Sequence, residues 1–345
     1  MLVLRRLRPL PLITVLALTG ACTLDSPGAS EGDTETGGSS ASGGSSGETG
    51  ETTGVDAGCP VANFLDVSQG PGAGDAYAAP ELSVHCTDDA LIIESNGIPT
   101  YTFVPITPNP LVVNDLYYEL PRHPAVADAP TDIPLLGTLG VGVNGLPLFG
   151  PNEAAVPADS AYGDPIYNSI TDECLGHTAN VYHYHALVEK CMTKAGLVAE
   201  PWSLPDPDPS TPSPVIGYGY DGFPIYGARE CKDESCAEIL TLESSWVMIG
   251  DPHTNAWDAY QYQEQAGPQF LDRCNGHVGP GGDYHYHATD TFPYILGCYT
   301  GTPAVGGSGI GGEQPPMCQM GQTTMCCGDG TCEGPETAMN CPADC

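Results

Sequence analysis

Positive charge is what this sequence lacks. Its 345 residues carry only 9 Lys and Arg against 43 Asp and Glu, a formal net charge of -34. A chain so poor in bases has no electrostatic footprint for nucleic acid. It equally lacks a basic patch with which to dock on anionic lipid. Uninterrupted helical sequence is missing too. The 44 Gly and 34 Pro break helices at a cost of about 1 and 3 kcal/mol each, which excludes extended helical bundles. Gly-x-Ser-x-Gly occurs only at 28–32 and 43–47, inside a low-complexity Gly/Ser stretch, and no nucleophilic cysteine pair or phosphate loop is present, so nothing points to metal-free catalysis. Uniform disorder is excluded in turn, because 41% of residues are apolar or aromatic and most of them follow residue 58. What survives is a loop-rich, mainly β, extracytoplasmic protein.

The amino terminus agrees with export. Arg5, Arg6 and Arg8 precede an apolar stretch from Leu10 to Leu18 and then Thr19-Gly20-Ala21-Cys22. A short basic region before about ten apolar residues is an export signal, too short to span a bilayer as a helix. The small residues before Cys22 resemble a bacterial lipobox, so residues 1–21 read as a lipoprotein signal peptide and Cys22 as the lipidated residue. Ordinary secretion with cleavage after Ala21 is the alternative. Residues 22–57 are nearly all Gly, Ser, Thr, Ala and acidic residues, a flexible linker that cannot offset its own ordering entropy. The expected location is the outer membrane or cell surface, with the lipid anchor as the sole membrane contact, or alternatively a secreted soluble protein.

With Cys22 set aside, fourteen of the 15 cysteines remain, an even set that reads as disulfides rather than reactive thiols in an exported chain. Cys231 and Cys236 suggest a small local loop.

The body of the chain is internally duplicated. Residues 142–150 read GVNGLPLFG and residues 219–227 read GYDGFPIYG; residues 172–185 read DECLGHTANVYHYH and residues 272–287 read DRCNGHVGPGGDYHYH. The repeats run about 137–196 and 214–300, with an insertion in the second around 231–260. Asn144-Gly145 and Asp221-Gly222 predict type I′ hairpin turns. Tyr-His-Tyr-His predicts a strand of period two, which sets His183 and His185 on one face and Tyr182 and Tyr184 on the other. The same alternation separates His285 and His287 from Tyr284 and Tyr286. A Cys174–Cys191 and a Cys274–Cys298 bridge would each close a loop around its own motif.

Six of the nine histidines sit in these blocks: His177, His183, His185, His277, His285 and His287. Two imidazoles at i and i+2 on a strand can share one metal ion, and the histidine of Cys-x-Gly-His can supply a third donor. Imidazoles without thiolate suit Cu(II) or Zn(II), and the Irving–Williams order favours copper. The competing reading is a packed ladder of rings bonded to backbone carbonyls. His183-x-His185-x3-Glu189 also matches a cupin metal motif, which makes Glu189 a candidate further ligand, although cupins do not carry two such repeats. His85, His123 and His253 lie outside the duplication.

These residues resemble the YHYH-domain family, a set of exported bacterial proteins named for the motif. The resemblance extends to SNGIP at 95–99, DGFPIYG at 221–227 and YHYHATDTFPYILGCYTG at 284–301, covering roughly residues 80–301. It implies a metal-binding role for His183, His185, His285 and His287 and supplies no secure activity.

The carboxyl-terminal stretch, residues 304–345, is a linker followed by a Cys-rich module with almost no apolar material, which disulfides must stabilise. Asp329, Glu336, Asn340 and Asp344 offer oxygen ligands of the kind calcium takes; a solvated acidic knot is the equal alternative. The expected architecture is therefore a mainly β, disulfide-stabilised sandwich or barrel-like domain at 58–303, built from the duplication, plus this small tail. The two repeats are expected to pack about a pseudo-two-fold axis with their HYH strands together, forming two mononuclear sites or one shared centre. Three functions compete: a cell-surface metal-binding lipoprotein, an extracellular copper or zinc enzyme, and a structural module without metal.

Overall fold

The computed structural model describes residues 58–154, 162–179 and 181–304. Cys22, Asp329, Glu336, Asn340 and Asp344 lie outside the described residues.

Strands β1 (Leu82–Cys86), β2 (Ala90–Ser95) and β3 (Leu116–Pro121) form an antiparallel sheet with β2 in the middle. The run Ala90-Leu91-Ile92-Ile93 is buried throughout, as the central strand of a sheet covered on both faces should be. Strand β4 (Val126–Thr131) follows. The first repeat then contributes β5 (Thr138–Gly142), β6 (Pro147–Phe149), β7 (Gly176–Thr178) and β8 (Tyr182–Tyr184). The second contributes β9 (Val215–Gly219) and β10 (Pro224–Tyr226), then small ladders in its insertion, β11 (Arg229–Cys231) with β12 (Ile239–Thr241) and β13 (Trp246–Met248) with β14 (Tyr260–Tyr262). It ends with β15 (Gly276–Val278) and β16 (Tyr284–His287), after which β17 (Tyr299–Gly301) returns to pair with β4. The protein is mainly β, in several sheets, with no closed barrel among the described residues.

Both repeats join one eight-stranded sheet in the order β15-β16-β10-β9-β5-β6-β8-β7. That order is its own mirror in repeat equivalents. The halves meet at β5 and β9, antiparallel, with Val141 opposite Tyr218, Gly140 opposite Gly219 and Gly142 opposite Gly217. Equivalent residues exchange partners across this seam, which is the register of a local two-fold axis. The expectation that the HYH strands come together is corrected here. β8 and β16 lie towards opposite edges, separated by four strands, about 24 Å at the usual strand spacing. The inner positions go instead to the glycine-rich β5 and β9, whose backbones meet closely at the seam, where a Cβ on Gly140 would run into the Tyr218 carbonyl; Leu139, Val141 and Ile216 are in the core.

The turns also differ from expectation. In each β5–β6 and β9–β10 hairpin the amide of the second glycine donates to the first, Gly145 to Gly142 and Gly222 to Gly219. Gly145 (φ 81°) and Gly222 (φ 84°) have positive φ, whereas Asn144 and Asp221 do not. This is a three-residue loop ending in a left-handed glycine, not a two-residue type I′ turn. The reason lies in the side chains of Asn144 and Asp221, which are held by the core. Asn144 Nδ2 donates to the Tyr184 hydroxyl at 2.9 Å, and the Tyr286 hydroxyl donates to Asp221 at 2.5 Å.

Four disulfides tie the described chain: Cys59–Cys86, Cys174–Cys191, Cys231–Cys236 and Cys274–Cys298. Such a number belongs to an oxidising compartment. Among the described residues no helix is long and apolar enough to cross a membrane.

Candidate metal centres

Each Asp-x-Cys-x-Gly-His segment folds into a turn that sets its histidine opposite the YHYH strand. Asp172 Oδ1 accepts from the amides of Cys174 (2.9 Å) and Gly176 (3.2 Å), while its Oδ2 accepts from the Tyr182 hydroxyl at 2.6 Å. Asp272 repeats this with Cys274, Gly276 and Tyr284. The tyrosine ring thereby lies over the glycine. A Cβ on Gly176 or Gly276 would run into the ring of Tyr182 or Tyr284, which explains glycine at that place in both repeats. β7 then pairs antiparallel with β8, His177 opposite His183, and β15 with β16, His277 opposite His285.

The result is two clusters, Glu153 with His177, His183 and His185, and Glu230 with His277, His285 and His287. In each, the donor atoms lie within 4.8 Å of one another. All six histidines named from the sequence are in these clusters. His85, His123 and His253 are in neither. Glu189 is elsewhere: it pairs with Arg229 at 2.8 Å and accepts from Ser213.

The first cluster has a regular form. The three Nε2 atoms stand 3.1, 3.1 and 3.2 Å apart. Glu153 Oε2 caps them at 3.0, 3.8 and 3.3 Å from His177, His183 and His185. A tetrahedron with such edges has its centre about 2.0 Å from each corner, the ordinary zinc–nitrogen and zinc–oxygen distance. The other ring nitrogens are committed outward. His177 Nδ1 donates to the Ile170 carbonyl (2.7 Å), His183 Nδ1 to Val181 (3.1 Å) and His185 Nδ1 to Gly150 (2.7 Å). A carbonyl can only accept, so each neutral ring carries its proton on Nδ1 and turns a bare Nε2 lone pair inward. Burial pushes the His183 pKa down to about 4, which favours this neutral form. Phe149 stacks on His183 with ring centres 3.9 Å apart.

The second cluster repeats the plan. His287 Nδ1 donates to the Gly227 carbonyl (2.7 Å) and His285 Nδ1 to Asp283 (3.1 Å). Glu230 contacts His277 and His285, each at 2.8 Å. Burial takes His287 down to about 3. The histidine centroids stand 4.9 to 5.1 Å apart, against 4.7 to 4.9 Å in the first cluster.

Glu153 and Glu230 escaped the sequence reading. The signal was there, since the first repeated block continues three residues past its last glycine, as GVNGLPLFGPNE at 142–153 and GYDGFPIYGARE at 219–230. Both blocks of the duplication therefore serve one centre. β6 runs parallel beside β8, and β10 beside β16, so the closing glycine carbonyl orients the last histidine and the glutamate follows as fourth donor.

The model of the YHYH protein family matches residues 117–301. No curated protein and no solved structure gives a significant match. The family match spans more than half of the sequence and includes every donor of both clusters, and on that ground the chain belongs to the YHYH protein family.

Proposed function

We propose that this is an exported metal-binding protein holding one transition-metal ion in each cluster. One observation carries the reading: three buried imidazoles turn unprotonated Nε2 atoms towards one another and towards a carboxylate. A packed ladder of neutral rings gives no reason for three lone pairs to converge at 3.1 to 3.2 Å. A cation among them removes the repulsion and uses all four donors. Copper, favoured by affinity order, prefers tetragonal arrangements as Cu(II), whereas the near-tetrahedral first cluster favours zinc. Uptake, sequestration or storage at the cell surface fits a strongly acidic chain that raises the local cation concentration.

Elemental analysis of protein purified without chelator is expected to find two ions per chain, matching the two clusters. Pairing His183→Ala with His285→Ala is expected to remove both. Metal-free wild type that takes up nothing on reloading sinks the reading. A metal enzyme is the second reading, and it would have to work at the second cluster, where His287 Nε2 lacks a partner.

The lipid tether is part of the proposal and rests on Cys22 following Thr19-Gly20-Ala21. Membrane-fraction protein is expected to carry an acylated Cys22 by mass spectrometry, and Cys22→Ser to release the chain as a soluble product. Unmodified Cys22 in mature protein would exclude the tether.

A further inference from the structure

The two clusters share a plan but not a degree of closure. In the first, one oxygen, Glu153 Oε2, reaches all three histidines, and the three Nε2 atoms are mutually in contact. In the second, the carboxylate is divided: Glu230 Oε2 meets His277 and Oε1 meets His285. Among the described residues no ion pair reaches His287, whose Nε2 is buried and without a hydrogen-bond partner. His287 is only 1% exposed, so water does not satisfy that atom in passing. A buried ring nitrogen aimed into a cluster and left unpaired marks an unfilled position there.

The surroundings differ in the same sense. The strand end after His177 is clamped from outside the repeat: Thr178 Oγ1 donates to the Asn109 carbonyl at 2.8 Å, Asn109 Nδ2 donates to the Thr178 carbonyl at 3.2 Å, and Thr107 bonds to Thr178 as well. The equivalent Val278 is 63% exposed. The connection that follows is two residues longer in the second repeat, and a Cβ on Gly281 or Gly282 would meet nothing. The His277 side chain is 20% exposed and that of His177 1%. The segment preceding the repeats thus covers His177 of the first centre and leaves His277 of the second partly open.

We infer that the centres have divided their roles. The Glu153 centre is closed and retains its ion, and the Glu230 centre exchanges its ion and accepts a small monodentate anion as an added ligand. This rests on the metal-binding reading proposed above. An anion fits because a divalent ion beside a single carboxylate would keep net positive charge, and because the His277 side of the cluster is partly exposed, with Val278 beside it 63% exposed.

The test uses the full mature chain loaded with cobalt(II), whose visible spectrum reports coordination. With EDTA, cobalt is expected to leave in two equal phases whose rates differ by about tenfold or more, the scale on which supporting contacts alter metal retention. Azide titration is expected to perturb the spectrum of only one cobalt per chain. Glu230→Gln or His277→Ala should remove the fast phase and the azide response together. Two cobalt ions leaving in a single phase, or an azide response that survives His277→Ala, would overturn the inference while leaving metal binding intact. A chain that takes up no cobalt overturns the metal-binding reading itself.

Discussion

Removing the metal from both centres is expected to lower the thermal unfolding midpoint by about 10 °C or more, with full recovery on reloading. Folding brings three Nε2 atoms to 3.1 to 3.2 Å and a carboxylate oxygen to 3.0 Å from one of them, in a pocket where the rings are almost fully buried. Without a cation the folded state must keep these lone pairs together or charge a buried imidazole, and desolvation makes the second course costly. The unfolded chain has no such assembly, so an ion that binds only the folded state adds stability by mass action. At a free concentration a thousand times the dissociation constant, each ion contributes about 4 kcal/mol. One kcal/mol moves the midpoint of a domain of this size by about 2–4 °C. Two sites therefore exceed 10 °C even when one binds loosely. The disulfides at Cys174–Cys191 and Cys274–Cys298 persist in both forms, so the change reports the ions alone. Scanning calorimetry of chelated, zinc-loaded and copper-loaded protein checks it. Equal midpoints in all three would mean that the clusters fold without need of metal.

Local features were legible in the sequence, and long-range ones were not. The alternation of Tyr182-His183-Tyr184-His185 predicts which side chains converge because the strand period is built into the backbone. The loop cysteines lie within 17 and 24 residues of their partners, so proximity in sequence points to the pairing. The order of strands obeys no such local rule. β8 and β16 occupy outer positions because β5 and β9 pair with each other at the middle of the sheet. That choice compares whole strands. Glu153 stayed hidden for a related reason: it lies in a loop 24 residues before His177, and only the parallel placement of β6 beside β8 brings it to the histidines. Asn144 and Asp221 look like turn formers because turn propensity is local, yet their partners Tyr184 and Tyr286 are 40 and 65 residues away.

The aspartate at the head of each His turn leads to the sharpest expected effect of a single substitution. Asp172→Ala is expected to cost about 3–5 kcal/mol and to empty the first centre while leaving the second filled. Asp172 is 6% exposed and serves three donors at once, the amides of Cys174 and Gly176 and the Tyr182 hydroxyl. Truncation leaves all three without an acceptor, and a buried unsatisfied donor costs about 1–3 kcal/mol. The damage reaches the metal through the backbone. The Gly176 amide opens β7, whose next residue is His177, and the Tyr182 hydroxyl anchors the residue before His183. Loss of the shared acceptor frees both histidines from the positions that bring their Nε2 atoms to 3.1 Å. Asp172→Asn separates this from a mere loss of charge. Its carbonyl still accepts from both amides, and its amide group meets a Tyr182 hydroxyl that can rotate to accept, so the cost should stay near 1 kcal/mol with both ions retained. Because Asp272 holds the second turn independently, Asp272→Ala should empty only the Glu230 centre. Urea unfolding with metal counting on each variant checks the set. An alanine variant that keeps both ions at wild-type stability would show that the turn aspartates do not position the histidines.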